Sequence, residues 1–357
     1  MTTRRDFLQQ TAAAAAGVAF TSCSLLDAAH AQPAASTPVR RRQVVVAGRR
    51  VKTVDVHAHC VIPEAISLMG RKVAPQTLVV VQDRLRIMDE QGIDVEALSI
   101  NPFWYGAERD QVTQLIKIQN EKLAEICAAH PDRFVAFASL ALQFPDLAVQ
   151  QLEEGVTKYG LRGAAIGSSV AGAEFADPKF HPVWAKAQEL GVLLFIHPAG
   201  VSVLNPRLKG NGVLENVIGN PLDTTIALSH LIFQGTLDHF PGLKLCAAHG
   251  GGYLPSYADR SDHGCLTFPE RCDPNIKLKK KPTEYLKQIY FDSLIFGTEA
   301  LRHLAAQVGA GQIVMGTDYP FPWQDKSVDH ILNTPTLSDA QRAAILGDTA
   351  VRLLGVK

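Results

Sequence analysis

At 357 residues with 46% apolar side chains, the chain has ample material for a core, either one large domain or two ordinary ones, and disorder is not expected. Lys+Arg and Asp+Glu balance at 35 each, so no global field directs the protein to nucleic acid; the cluster Lys277, Lys279, Lys280 and Lys281 reads as a solvated loop. No uninterrupted apolar run reaches the roughly 20 residues needed to span a bilayer, which predicts a soluble mature protein.

The N-terminus carries Thr3-Arg4-Arg5-Asp6-Phe7-Leu8-Gln9 ahead of an alanine-rich run from Thr11 to Phe20, then Ala29-His30-Ala31. This resembles a twin-arginine export signal over residues 1–31, cleaved before Gln32, and predicts a periplasmic location; a lipid anchor at Cys23 is the lesser alternative. The twin-arginine route carries folded proteins, so a metal could be loaded before export. Residues 32–50, with Pro33, Pro38 and Arg40 to Arg42, read as a linker into a single domain over 51–357. Cysteines then remain at positions 60, 127, 246, 265 and 272. An odd count without paired spacing argues against a disulfide framework: Cys127 and Cys246 read as core, and the pairing of Cys265 with Cys272 stays open.

Beyond the linker, strand-like runs alternate with helical periodicity to the end of the chain. The predicted strands are Val51–His59, Ala97–Ile100, Phe134–Ser139, Gly163–Gly167, Leu193–His197, Leu243–His249, Ile289–Asp292 and Ile313–Gly316. Between them, Arg84, Leu85, Ile87 and Met88 before Gly92, and Leu115, Ile116, Ile118, Leu123, Ile126 and Cys127 before Pro131, carry the spacing of helices. Such alternation implies a parallel sheet of the α/β class. Eight units point to a closed (β/α)8 barrel, with an open doubly wound sheet as the alternative.

The placement of polar residues favours the barrel. His57 and His59 close the first strand on one face, because side chains two apart on a strand point the same way. His197 closes the fifth strand, His249 the sixth, and Asp318 follows the eighth. In a barrel these ends share the face on which active sites are built, so residues far apart in sequence would converge. His57, His59, His197 and Asp318 meet the ligand count of a catalytic metal site, while His249 is either a further ligand or a general base. The glycines in His249-Gly250-Gly251-Gly252 let backbone approach a ligand closely or simply make a tight turn. Gly316-Thr317-Asp318-Tyr319-Pro320-Phe321-Pro322-Trp323 sets an aromatic wall behind the acid, suited to a planar unsaturated substrate. Arg260, eleven residues after His249, is a candidate clamp for a substrate carboxylate or else a surface charge.

Three segments carry a more specific signal: Asn220-Pro221-Leu222-Asp223-Thr224-Thr225-Ile226-Ala227, Phe240-Pro241-Gly242-Leu243-Lys244 leading to His249-Gly250-Gly251-Gly252, and Gly316 to Pro322. With the metal-type residues, the chain from about Val54 to Leu354 resembles the amidohydrolase superfamily, in particular its aminocarboxymuconate-semialdehyde decarboxylase branch. The resemblance implies a metal-dependent-hydrolase type of (β/α)8 barrel. It implies one divalent metal, zinc the expected identity, held by His57, His59, His197 and Asp318. It casts His249 as the catalytic histidine near the metal-bound water and Asp318 as a ligand that also assists proton transfer. Arg260 would reach the substrate carboxylate of the neighbouring subunit in a homodimer, and Phe321 would contact substrate. The implied reaction is non-oxidative decarboxylation of a small aromatic or unsaturated carboxylic acid without an organic cofactor; the alternative on the same site is hydrolysis of an ester, lactone or amide. Two features depart from that branch: Ala199 stands where a tryptophan follows the His-Pro of the fifth strand, and the stretch Pro63 to Gln82 is shorter, with Arg71 not clearly equivalent to a second substrate arginine.

Overall fold

The computed structural model describes residues 40–71, 81–321, 323 and 326–357. The export signal expected over 1–31, with Cys23, lies outside the described residues, as does the linker up to residue 39. The compact unit runs from Arg40 to Lys357, so it takes in the last part of the segment expected to be a linker. There Val45–Val46 pairs antiparallel with Arg49–Arg50, Val44 and Val46 are buried, and Arg42 Nη1 donates to Asp329 at 3.0 Å. Two buried valines remove apolar area from water, which is why this stretch packs instead of remaining solvated.

Eight parallel strands follow: β1 (Val54–His59), β2 (Val95–Ser99), β3 (Phe134–Ala136), β4 (Gly163–Ile166), β5 (Leu193–Ile196), β6 (Lys244–Ala247), β7 (Ile289–Asp292) and β8 (Ile313–Val314). Strands β1 to β3 pair in order, as do β4 to β8. Two seams join the sets into a closed barrel. At one, Ala138 bridges Ala164, with Ala138 N–H on Gly163 C=O at 2.8 Å. At the other, Asp55 bridges Met315 and Ala58 bridges Tyr319, with Val56 N–H on Met315 C=O at 2.9 Å. The closed barrel is therefore realised and the open sheet is not.

Each strand leads to a helix: α1 (Val81–Gln91), α2 (Arg109–Ala129), α3 (Pro145–Thr157), α4 (His181–Leu190), α5 (Asn220–Phe233), α6 (Ala258–Thr267), α7 (Thr298–Val308) and α8 (Ser327–Asn333). Alternation along the strands divides their side chains into two apolar sets. Val95, Ala97, Val135, Phe137, Leu193, Phe195, Cys246 and Val314 pack together, while Leu98, Ala136, Leu194, Ile196, Leu245 and Ile313 join helix residues such as Met88, Leu115 and Leu123. Strands buried on both faces explain the near-continuous apolar runs from which they were predicted. Several strands end earlier than expected. At His249 the reason is local, since it sits in left-handed backbone (φ 54°), which a strand cannot continue through; Asp318, beyond β8, is left-handed too (φ 63°). Cys265 and Cys272 are joined by a disulfide at the end of α6, which answers the pairing left open by the sequence; Cys60 and Cys246 are buried free thiols.

One buried ion pair fixes the rim of the barrel beside the site. Arg84, on α1, donates from Nη1 to Glu96 Oε2 of β2 at 2.6 Å and from Nη2 to the His59 carbonyl that ends β1, and its guanidinium lies 4.4 Å from the centroid of the Tyr319 ring. Both charges are almost wholly excluded from water, 1% exposed each. Removing one partner of such a pair strands the other charge in low dielectric. Arg84→Met is expected to cost about 3–5 kcal/mol of stability in urea denaturation, and Arg84→Met with Glu96→Leu to cost less than the single change.

Candidate metal centre

The barrel brings all five sequence-predicted strand-end residues together. His57, His59, His197 and Asp318 are buried and His249 is half-buried. The His57 ring lies 4.9 Å from that of His59, 5.1 Å from that of His197 and 5.1 Å from that of His249. Asp318 Oδ1 sits 2.8 Å from His59 Nε2 and 3.2 Å from His57 Nε2, and Asp318 Oδ2 sits 3.9 Å from His249 Nε2. Phe195 packs edge-on beneath His57 at 5.0 Å and stacks on Phe137, which gives the cluster an apolar floor.

Close backbone approach makes this convergence feasible. Gly251 and Gly252 follow His249 with positive φ; a Cβ on Gly251 would meet the Phe291 ring at 2.6 Å, and one on Gly252 would meet the Pro221 carbonyl oxygen at 2.0 Å. A side chain at either position would push the His249 loop off the barrel. Asp318 is held in its own left-handed turn by its N–H, which donates to the His57 carbonyl at 2.7 Å. Backbone strain of this kind persists where surrounding contacts over-determine it.

The second nitrogen of each ring separates the histidines. His57 Nδ1 donates to Asp292 Oδ2 at 2.6 Å. Ser99 Oγ spends its proton on the Ala58 carbonyl (3.1 Å), so it accepts from His59 Nδ1 at 3.0 Å. His197 Nδ1 lies 3.0 Å from the Pro198 carbonyl, which can only accept. In these three rings Nδ1 carries a proton, which leaves Nε2 as the nitrogen for the cluster; those of His57 and His59 lie 3.0 Å apart. His249 Nδ1 is buried without a hydrogen-bond partner among the described residues. Distance alone gives a different grouping, because donor atoms of His57, His197, His249 and Asp318 all lie within 4.8 Å of one another. The hydrogen bonds discriminate more sharply than that separation, since a ligand ring is ordinarily oriented through its outer nitrogen.

Asp292 is the residue that sequence reading missed. It ends β7, fully buried, and besides His57 Nδ1 it accepts from the backbone N–H groups of His249 (3.0 Å), Gly250 (2.9 Å) and Leu294 (3.1 Å). One carboxylate thus orients the first histidine and the loop that carries the last. The available signal was an acid closing an otherwise apolar strand, the same position that had marked the histidines.

The electrostatics suit a cation. Burial opposes charging of His57, but the Asp318 and Asp292 carboxylates outweigh it and raise its pKa to about 10. Burial lowers His59 to about 4 and His197 well below the usual imidazole range, so these rings are neutral donors at neutral pH. Burial works against ionised Asp318, yet His57 and the other imidazoles around it hold it well below the usual carboxylate range. Asp318 Oδ1 is buried and takes no hydrogen bond among the described residues, although two imidazole nitrogens stand within 3.2 Å. Three imidazoles that present Nε2 to the cluster, together with an anionic oxygen, are a donor set that a divalent metal fits.

A cavity of about 330 Å³ opens on the cluster, lined by His249 and Asp318 together with Asn216, Tyr253, Leu294, Phe296 and Trp323. Trp323, from the expected aromatic wall, borders it; so does Phe296, which the sequence did not single out. Phe321 lies at the metal cluster, its ring 5.9 Å from that of His59 and partly exposed. Tyr319 turns away to pack against Arg84. Arg260, on α6, is exposed and does not border the cavity within its own chain.

A sequence model of the amidohydrolase family matches residues 54–356. The 2-amino-3-carboxymuconate-6-semialdehyde decarboxylase of Dictyostelium discoideum is 30% identical over 276 residues, 76% of this chain and 76% of that protein. The gamma-resorcylate decarboxylase of Rhizobium radiobacter is 30% identical over 292 residues, 77% of this chain and 88% of that protein. Among solved structures, the dihydroxybenzoic acid decarboxylase of a Polaromonas species, with bound manganese and the inhibitor 2-nitroresorcinol, is similar with a TM-score of 0.75 and 26% identity over 85% of this chain and 97% of that one. The matched span takes in every strand of the barrel and all five converging side chains, and the chain belongs to the amidohydrolase family.

Proposed function

We propose that this protein is a metal-dependent, non-oxidative decarboxylase of a small aromatic or unsaturated carboxylic acid. The observation that carries the reading is the convergence of three imidazoles held at Nδ1 and of Asp318 Oδ1 beside a cavity walled by Leu294, Phe296 and Trp323. The relatives named above are decarboxylases of carboxylated arenes or muconates, and hydrolysis of an ester, lactone or amide gains no support from them. In this reading His57, His59, His197 and Asp318 hold one divalent ion, and its imidazole-rich donor set favours zinc, although the Polaromonas relative was solved with manganese. Such an ion supplies Lewis-acid stabilisation of negative charge on substrate oxygens.

The chain's own residues do the rest. The apolar wall holds the ring with its carboxylate toward the cluster and keeps water away from the developing anion. As the bond to the carboxyl carbon breaks, its electron pair stays on the ring carbon, carbon dioxide departs, and His249 delivers a proton to that carbon. A half-buried imidazole whose Nδ1 is unpartnered and whose Nε2 faces Asp318 is placed for that transfer. Phe321 stacks near substrate at the cluster. Arg260 reaches the substrate carboxylate of the neighbouring subunit in a homodimer, a reading supported by its exposure and by its not lining the cavity of its own chain. Export by the twin-arginine route fits the Cys265–Cys272 bond, since disulfides persist in oxidising compartments.

Assayed on hydroxybenzoates and muconate semialdehydes, the protein is expected to release carbon dioxide, to stop on chelation and to recover with added Zn²⁺; turnover of esters or lactones with none of acids would overturn the lyase. His249→Ala is expected to lower turnover by about 10²–10⁴-fold while retaining about one metal per chain. Loss of the metal in that variant would make His249 a ligand. Mixing Arg260→Ala with His249→Ala protein is expected to restore activity in hybrid dimers, and no rescue would place the arginine's action within its own chain.

A further inference from the structure

The segment Asn220-Pro221-Leu222-Asp223-Thr224-Thr225 opens α5, and none of its side chains belongs to the converging cluster. Its contacts are nevertheless with the loops that carry the cluster. Asp223 is 7% exposed, and its Oδ2 accepts from the N–H of Ala199 at 2.9 Å, from the N–H of Gly200 at 2.9 Å and from Ser168 Oγ in the loop after β4. Thr225 Oγ1 accepts from the N–H of Tyr253 at 2.8 Å, in the loop after His249, and donates to the Pro221 carbonyl at 2.7 Å.

We infer that Asp223 is a positioning residue for His197 and acts on it through a single peptide group. The Ala199 N–H that Asp223 holds and the Pro198 C=O that takes His197 Nδ1–H are the two ends of the same peptide unit. A peptide unit is planar, so fixing its N–H fixes the direction of its carbonyl. The carbonyl in turn fixes the plane of the ring and keeps the proton on Nδ1, aiming the Nε2 lone pair into the cluster. Negative charge at the N–H end also polarises the peptide and strengthens its carbonyl as an acceptor, which raises the basicity of Nε2. His57 receives the same service from Asp292 directly. His197 receives it at one remove, because a carboxylate placed directly on its ring would have to occupy the position of the Pro198 carbonyl.

This inference rests on the metal-site reading above, but it is tested by metal affinity and not by decarboxylation. The measurement is Zn²⁺ affinity by competition with a chromophoric chelator, together with the visible spectrum of the Co²⁺-loaded protein. Asp223→Asn is expected to weaken Zn²⁺ binding by about 10–100-fold and to shift the Co²⁺ bands. Ser168→Ala, which releases one of the three donors and leaves the carboxylate in place, is expected to weaken binding more than twofold but less than Asp223→Asn; it carries the test if the asparagine variant does not fold. Thr225→Val loosens the same helix start on the other side and is expected to stay within twofold of the wild type with an unchanged Co²⁺ spectrum. The proposal is overturned if Asp223→Asn and Ser168→Ala both bind within twofold of wild type, or if Thr225→Val weakens binding as much as Asp223→Asn. Absence of Zn²⁺ binding by the wild type would overturn it together with the metal-site reading, whereas tight wild-type binding without carbon dioxide release leaves the relay standing and removes only the lyase.

Discussion

The hydrogen bond from His57 Nδ1 to Asp292 ties the chemistry of this barrel to its closure. His57 comes from β1 and Asp292 from β7, with β8 between them, so the bond spans the seam at which the last strand meets the first. The same carboxylate accepts the backbone N–H of His249 and of Gly250, and thereby fixes the loop after β6 as well. Gly316, two residues past the end of β8, has room for no more than a hydrogen: a Cβ there would meet His57 Cβ at 2.9 Å and Asp292 Cβ at 3.2 Å. The absence of a side chain at Gly316 lets the ends of β1 and β7 touch across it. Fold and site are therefore one constraint, because displacing Asp292 would unlock a strand end and turn a histidine together.

Closing a barrel around so many polar groups has a cost that buried hydrogen bonds and one ion pair offset. Asp55 on β1 is fully buried, and burial together with the nearby Glu96 carboxylate raises its pKa to about 8. Its oxygens accept from the N–H of His57 at 3.0 Å and of Thr317 at 3.2 Å, and from the Thr317 hydroxyl. Arg84 compensates Glu96 from the helix side. Thus Asp55, two residues before His57, and Thr317, the residue before Asp318, belong to a hydrogen-bonded layer under the cluster. Such a layer resists rearrangement because any shift leaves a polar group unpaired in low dielectric.

Much of this was legible in the sequence, for physical reasons that also mark where legibility stopped. The eight strands were visible because parallel strands buried on both faces read as short apolar runs, and the histidines because each interrupts such a run at its C-terminal end. Asp292 closes its run in the same way, yet a lone carboxylate does not announce a partner in β1. Ser99 and Pro198 orient histidines through a hydroxyl and a backbone carbonyl, and neither group is distinctive in a sequence. The Arg84–Glu96 pair was hidden because Arg84 sits on a helical stripe whose other members are apolar. Phe296 was missed because cavity walls are assembled from loops, whose course follows from packing and not from periodicity.

The division of labour among the imidazoles follows from what their outer nitrogens touch. An imidazole pinned at Nδ1 by a carboxylate, a hydroxyl or a carbonyl cannot turn, and it cannot exchange protons at Nδ1 without breaking a buried hydrogen bond; such a ring is a rigid lone-pair donor. His249 lacks that pin among the described residues, although its backbone is held by Asp292 and by the glycines behind it. A ring fixed in position but free at its second nitrogen can gain and lose a proton while keeping its place over the cavity. The proposed role of His249 as proton carrier thus requires no residue that the metal-holding set lacks. It requires only that the fold, having supplied a partner for three Nδ1 atoms, withhold one from the fourth.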